Sequence, residues 1–174
     1  MPLVMRYPEL IKPQVCDNMV MNLDFAPTFL ELAGIEIPED VQGESLKELL
    51  SGNKKAWDRE AIYYHYYEYP AEHRVKRHYG VRTDRYKLIR FYYDIDKYEL
   101  FDLKNDPDEM KNLYGKEGYE AIQTEMLDKL FDLRKQYKDT NTRQFWPPES
   151  KTINHLAKGK SYSLANQANE KYTG

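Results

Sequence analysis

The sequence predicts an α+β architecture: a four-stranded antiparallel sheet packed against one long C-terminal helix, preceded by a fragment of a larger α/β domain. Three observations carry this expectation. Short runs rich in aromatic and β-branched residues follow one another between Ala61 and Leu103, two of them joined by a tight Asp84-Arg85 turn. Tyr119, Ile122, Met126, Leu130, Leu133 and Tyr137 recur at steps of three and four, the spacing of one face of a helix about five turns long. Pro2-Leu-Val-Met-Arg-Tyr7 reads as a short strand with no parallel partner downstream, as though its sheet lay elsewhere.

Taken in order, the opening strand is closed by Pro8 and a polar loop to Pro13. Asn22 to Gly34 predicts a helix with Asp24 as N-cap, Pro27 in the first turn and Gly34 at the C-terminal cap. Pro38 to Gly43 is a turn, and Ser45 to Gly52 a second short helix. The four strands are expected at Ala61–Tyr69, His78–Thr83, Tyr86–Tyr93 and Tyr98–Leu103. Asn105-Asp-Pro107 is a turn and helix-start signal, and the long helix begins after Gly118, its apolar stripe covering one face of the sheet. Beyond Asp139 the chain turns polar, rich in Lys, Asn and Ser, a tail either disordered or draped over a partner surface. This divides the chain at 1–56, 57–139 and 140–174.

Composition narrows the partners. No run of eighteen apolar residues exists, so no bilayer-spanning helix is expected, and Met1 to Pro8 does not read as a secretory leader. The lone Cys16 excludes an internal disulfide framework and a multi-cysteine metal cage. Net charge is −3, yet from Glu72 to Tyr92 seven basic residues stand against two acidic ones, inside a stretch holding ten of the sixteen tyrosines and three of the four histidines. Fields act locally, so this reversal of sign predicts a surface that holds an anion.

Within that stretch His65, Glu68, His73, Arg74 and His78 are the candidate contacts. His65 and Glu68 lie three apart on an expected strand and so face opposite ways. His65 is either a packed, hydrogen-bonded histidine or a ligand contact, and Glu68 either accepts hydrogen bonds from hydroxyls or pairs with an arginine. His73, Arg74 and His78 fall on a loop and the start of the next strand, where binding residues concentrate, and imidazole and guanidinium both suit sulfate and carboxylate groups. Arg82, Arg85 and Lys87 alternate with apolar residues and are expected on the wet face. No histidine spacing suits a metal, and Asp102, Asn105, Asp106 and Asp108 lack the glycine and terminal glutamate of a calcium loop. They read as a turn and capping cluster.

Read together, Pro2-Leu-Val-Met-Arg-Tyr-Pro8, Asn22-Leu-Asp24-Phe-Ala-Pro27-Thr-Phe-Leu-Glu-Leu-Ala-Gly34, Val41-Gln-Gly43-Glu-Ser-Leu, Val81-Arg82-Thr-Asp-Arg85-Tyr86-Lys87 and Glu99-Leu-Phe-Asp102-Leu-Lys-Asn105-Asp106-Pro107 resemble the C-terminal part of a sulfatase over residues 1 to 138. The run from Tyr63 to Tyr69 is most similar to bacterial carbohydrate sulfatases acting on heparin- or heparan-type glucosamine sulfates. The resemblance implies an alkaline-phosphatase-like α/β enzyme whose smaller domain is the sheet and helix above. It also implies a formylglycine nucleophile, calcium in the full-length enzyme, and a periplasmic or secreted location. The nucleophile and metal ligands of such enzymes lie upstream of this chain, and Cys16-Asp17-Asn18 lacks the proline and arginine of their motif. The chain is therefore expected to lack catalysis alone and to supply a substrate-facing wall for a sulfated carbohydrate, its partner being the N-terminal catalytic domain of the same protein. Non-native self-association through Leu3, Phe25, Phe29 and Leu32 is expected for the piece by itself. A stand-alone anionic-carbohydrate-binding module is the alternative. A nucleic-acid-binding sheet fits less well, with no RNP-like motif and a pI near 5.9.

Overall fold

A computed structural model of the chain describes residues 3–69, 74–92 and 95–139. They form two compact units, divided between Ile62 and Tyr63.

The first unit is organised by one carboxylate. A 3-10 turn, Asn22–Asp24, runs directly into α1, Phe25–Leu32. Asp24 does not cap α1 with its side chain, as the sequence suggests; it is wholly buried, and its carboxylate accepts hydrogen bonds from Met21 N (2.6 Å) and Glu44 N (3.0 Å). Arg59, only 4% exposed, grips both its oxygens at 2.6 and 2.8 Å. A buried guanidinium requires a planar, bidentate acceptor, and that demand outweighs a cap. Burial works to raise the Asp24 pKa, but the Arg59 hydrogen bonds and the two backbone donors outweigh it and hold the carboxyl below its usual 3.8.

Thr28 extends the arrangement: its hydroxyl donates to Asp24 O (2.6 Å) and accepts from Leu46 N (2.9 Å). Gly43 passes so close to the chain that a Cβ there would sit 2.0 Å from the Leu23 carbonyl oxygen. α2 is a single turn, Lys47–Leu50, shorter than the sequence signals imply. α1 stops where expected. Gly34 adopts φ +71, with Gly34 N donating to Glu31 O and Ile35 N to Leu30 O. Leu3 to Tyr7 form no strand, having no strand partner among the described residues. Leu3 and Phe29 are exposed, while Phe25 and Leu32 are half-buried.

The second unit is a four-stranded sheet in the order β1 (Ile62–Tyr66), β2 (His78–Arg82), β3 (Tyr86–Phe91), β4 (Lys97–Asp102), followed by α3 (Glu120–Gln136). β2 pairs antiparallel with β3 and β3 with β4, and Thr83 N donates to Tyr86 O across the Asp84-Arg85 turn. Register places Val81, Leu88 and Leu100 in one row across the three strands, all completely buried. α3 packs on β2 and β3, and its Met126 and Leu130 are buried. Each such side chain taken from water contributes on the order of 1.5–3 kcal/mol.

The strands are shorter than their aromatic runs. β1 ends at Tyr66 because the backbone then turns on itself: Tyr69 N donates to Tyr67 O, a carbonyl that also accepts from Arg77 Nε at 3.0 Å. Arg90 lies on the helix side of the sheet, its side chain 8% exposed, over the ring of Tyr98 (4.4 Å) and paired with Asp96. Tyr98 in turn stacks on Tyr114 at 4.6 Å, and burial pushes its hydroxyl pKa up to about 12. Along the outer edge of β4, Asn112 accepts from Leu100 N and donates to Tyr98 O (both 3.0 Å), and Leu113 N donates to Leu100 O. Asp106 accepts from Met110 N and Lys111 N, closing a turn; no helix starts there.

α3 ends like α1 but with a non-glycine residue: Lys138 adopts φ +57, Lys138 N donates to Lys135 O and Asp139 N to Arg134 O.

Arg59→Ala leaves the Asp24 carboxylate buried and unpaired and should cost about 3–5 kcal/mol in urea unfolding of the first unit, read by tryptophan fluorescence. The Asp24 carboxyl has a folded pKa below its unfolded one, so its stabilisation is present above 3.8 and lost as pH falls through the lower folded value. Acid titration should show that loss in the parent and not in Asp24→Asn. Lys138→Gly removes left-handed strain and should raise stability by about 1 kcal/mol in a thermal melt.

Candidate functional site

Strand alternation sorts the chemistry-bearing residues into two groups. Tyr63 and His65 point to the α3 side of the sheet; Tyr64 and Tyr66 point to the other, where register also places His78, Gly80, Arg82, Lys87, Ile89 and Phe91.

On the second face His78 is the centre. Its ring stacks on Tyr66 (5.5 Å between centroids, 27° between planes), with Tyr64 edge-on at 5.9 Å and Phe91 at 5.4 Å. Nδ1 lies 2.8 Å from Lys76 O, and a carbonyl can only accept, so the proton sits on Nδ1 and a neutral ring leaves Nε2 as an acceptor. Two residues on, Gly80 makes room: a Cβ there would meet the Tyr64 hydroxyl at 2.5 Å and Leu88 O at 2.6 Å. The Tyr64 and Tyr66 hydroxyls are buried without a hydrogen-bond partner among the described residues. Burial, with Glu109 and Glu99 nearby, drives the Tyr64 pKa well above 10.

The excess of positive charge is mostly consumed close to home. Arg85 pairs with Asp102 (2.9 Å), Lys87 with Glu109 (2.6 Å) and Arg90 with Asp96. Arg77 is buried with Nε on Tyr67 O, and Lys76 donates to the Tyr69 hydroxyl at 2.5 Å. Arg74 and Arg82 remain exposed and have no carboxylate partner among the described residues. Glu68 is exposed too, with no ion pair there. The expectation that Arg82, Arg85 and Lys87 face water is met by Arg82 and Arg85; Lys87 is half-buried against its glutamate.

His65, on the α3 side, is 9% exposed and engaged at both ring nitrogens: Nδ1 with Asp139 Oδ2 and Nε2 with the Tyr92 hydroxyl, each at 2.6 Å. The Tyr63 hydroxyl donates to the same Asp139 oxygen. The rings of Tyr67, Tyr79 and Tyr92 surround the imidazole at 5.4 to 5.6 Å. Burial would raise the Asp139 pKa, but the His65 and Tyr63 hydrogen bonds, with Arg134 nearby, hold it below 3.8. Of the five sequence candidates, His65 and His78 fall on opposite faces of the sheet, Glu68 and Arg74 are on the surface, and His73 lies outside the described residues. Asp139 and Tyr92 were not legible as partners of His65, because no local spacing signals contacts 74 and 27 residues away. Among the described residues no three His, Cys, Asp or Glu side chains are arranged to hold a metal ion, and no helix is long and apolar enough to cross a membrane. Cys16 is exposed, its thiol 3.2 Å from Asn18 Oδ1. The groups described offer hydrogen bonds, aromatic faces and the exposed guanidiniums of Arg74 and Arg82.

Comparison with known proteins gives these features a setting. The chain is 50% identical over 171 residues to an N-acetylglucosamine-6-O-sulfatase of Bacteroides thetaiotaomicron, covering 96% of this chain and 29% of that protein. It is 32% identical over 120 residues to arylsulfatase K of Xenopus laevis, covering 66% of this chain and 22% of that one. Among solved structures, one determined in complex with its substrate D-glucosamine-2-N,6-O-disulfate superposes with a TM-score of 0.72 at 50% identity, over 81% of this chain and 29% of that one. The chain therefore spans less than a third of the length of these relatives. The sulfatase family described as N-sulphoglucosamine sulphohydrolase, C-terminal, matches residues 1–136, and the chain belongs to that family.

Proposed function

We propose that this chain forms the substrate-facing C-terminal part of a sulfatase that hydrolyses a sulfate ester of a sulfated glucosamine. The observation that carries the reading is the pair of exposed guanidiniums, Arg74 and Arg82, without a carboxylate partner among the described residues, while Arg85, Lys87 and Arg90 are paired with carboxylates. Arg82 shares a strand face with His78, whose Nε2 can accept from a sugar hydroxyl or, protonated, donate to a sulfate oxygen. Glu68 would accept from hydroxyls, and His73 belongs to the same loop in the sequence. His65 contributes through its hydrogen bonds, its ring nitrogens being engaged.

In this reading the formylglycine nucleophile and calcium belong to the rest of the protein; among the described residues no three His, Cys, Asp or Glu side chains are arranged for a cation. A periplasmic or secreted location for the whole protein follows from the same reading. The chain by itself binds and orients; it does not cleave.

Calorimetric titration with D-glucosamine-2-N,6-O-disulfate, the compound bound in the similar solved structure, tests this. Binding should weaken with added salt, and Arg74→Ala and Arg82→Ala should each lower affinity about two- to fivefold, as expected for solvent-exposed charges. No sulfate should be released by the chain alone. Tighter, stacking-dependent binding of single-stranded nucleic acid, with no response to the disulfate, would overturn the reading.

A further inference from the structure

We propose that Asp139 is a positioning residue: from the end of α3 it holds β1, through His65 and Tyr63, so that Tyr64 and Tyr66 keep the His78 ring in place and the Tyr67–Glu68 extension is presented to an anionic sugar. This rests on the sugar-binding reading above. A single carboxylate oxygen takes both bonds, from His65 Nδ1 and from the Tyr63 hydroxyl, and so pins the strand at two positions on one face. Because side chains alternate, fixing that face fixes the direction of Tyr64 and Tyr66 on the other.

Asp139 is itself held. Its N–H donates to Arg134 O at 2.9 Å, and its carbonyl accepts from Arg134 Nε at 3.0 Å. Arg134 reaches on to β2, its Nη1 donating to the Tyr79 hydroxyl (3.0 Å) and its guanidinium lying 4.1 Å above that ring. Tyr79 packs against Tyr63, His65 and Tyr92. The connection from α3 to β1, across to β2 and back to α3 is thus closed by hydrogen bonds on the helix side and by ring contacts between the strands. The left-handed Lys138 turns the backbone so that Asp139 can reach the strand. A strained backbone residue, a buried imidazole bonded at both nitrogens and a carboxylate shared by two donors are more than cap formation needs. Asp139 is ionised at neutral pH, its pKa lying below 3.8.

The test uses the full 174-residue chain and Asp139→Asn, with Tyr63→Phe as a milder variant that removes one of the two bonds. Three signals are read: the nitrogen NMR signature of the His65 imidazole, amide exchange strand by strand, and the affinity for D-glucosamine-2-N,6-O-disulfate. In Asp139→Asn the imidazole should lose its fixed Nδ1–H form. β1 amides should exchange faster while those of β3 and β4 do not, and affinity should fall about tenfold, the equivalent of one charge-assisted hydrogen bond. Tyr63→Phe should move β1 exchange in the same direction by less. Parent-like β1 exchange and imidazole signals in Asp139→Asn overturn the proposal whatever happens to affinity, and so does a loosened β1 with unchanged affinity. A parent chain that ignores the disulfate overturns the sugar-binding reading instead, and the exchange and imidazole signals still decide whether Asp139 holds β1.

Discussion

The seating of α3 on the sheet is the constraint from which the second unit follows. Val81, Leu88 and Leu100 form a row that is dry only because Met126 and Leu130 cover it, and the helix in turn has too few apolar positions to be stable in water without that row. Once the helix lies there, the two ends of the sheet face different surroundings. Toward β4, Arg90 donates to Asp96 and to the Phe91 carbonyl and lies over Tyr98, which stacks on Tyr114. Toward β1 the helix has ended, and polar aromatic residues replace aliphatic ones. The Asp139, His65, Tyr63 and Tyr92 network is the means by which a core too small to reach the last strand nonetheless fastens it.

Periodicity carried most of the architecture. The step pattern from Tyr119 to Tyr137 gave α3, Asp84-Arg85 gave the hairpin, and Gly34 gave the end of α1, because each depends on residues within one or two turns of chain. What was misread depends on contacts across the fold. Asp24 looks like a cap from its neighbours and is an ion-pair partner because Arg59, thirty-five residues away, is buried beside it. Arg90, near the end of its strand, is not misread but undecided by its neighbours, and register puts it on the helix side. The aromatic run from Ile62 to Tyr69 suggests a long strand, yet Arg77 claims the carbonyl of Tyr67 and the ladder stops.

The charge reading shows the same limit. Counting basic residues between Glu72 and Tyr92 does not show which of them stay open, since Asp96, Asp102 and Glu109 return from later in the chain to meet three of them. A histidine in that neighbourhood is likewise ambiguous in sequence. His65 and His78 are thirteen residues apart in similar company; one has both nitrogens engaged within the unit, and the other has a bond at Nδ1, to the Lys76 carbonyl, and none at Nε2 among the described residues. The difference is the side of the sheet on which each falls.

The side-chain amide of Asn112, lying along β4, has a consequence for how such a sheet behaves in company. Unpaired strand edges invite other chains to add on, and a domain made of short aromatic strands would be vulnerable to this. By accepting from Leu100 N and donating to Tyr98 O, with Leu113 N completing the series, one asparagine and its neighbour imitate an extra strand without exposing a further edge. Growth of the sheet by strand addition is thereby blocked on the β4 side. Any intermolecular pairing, orderly or pathological, must then come in past β1.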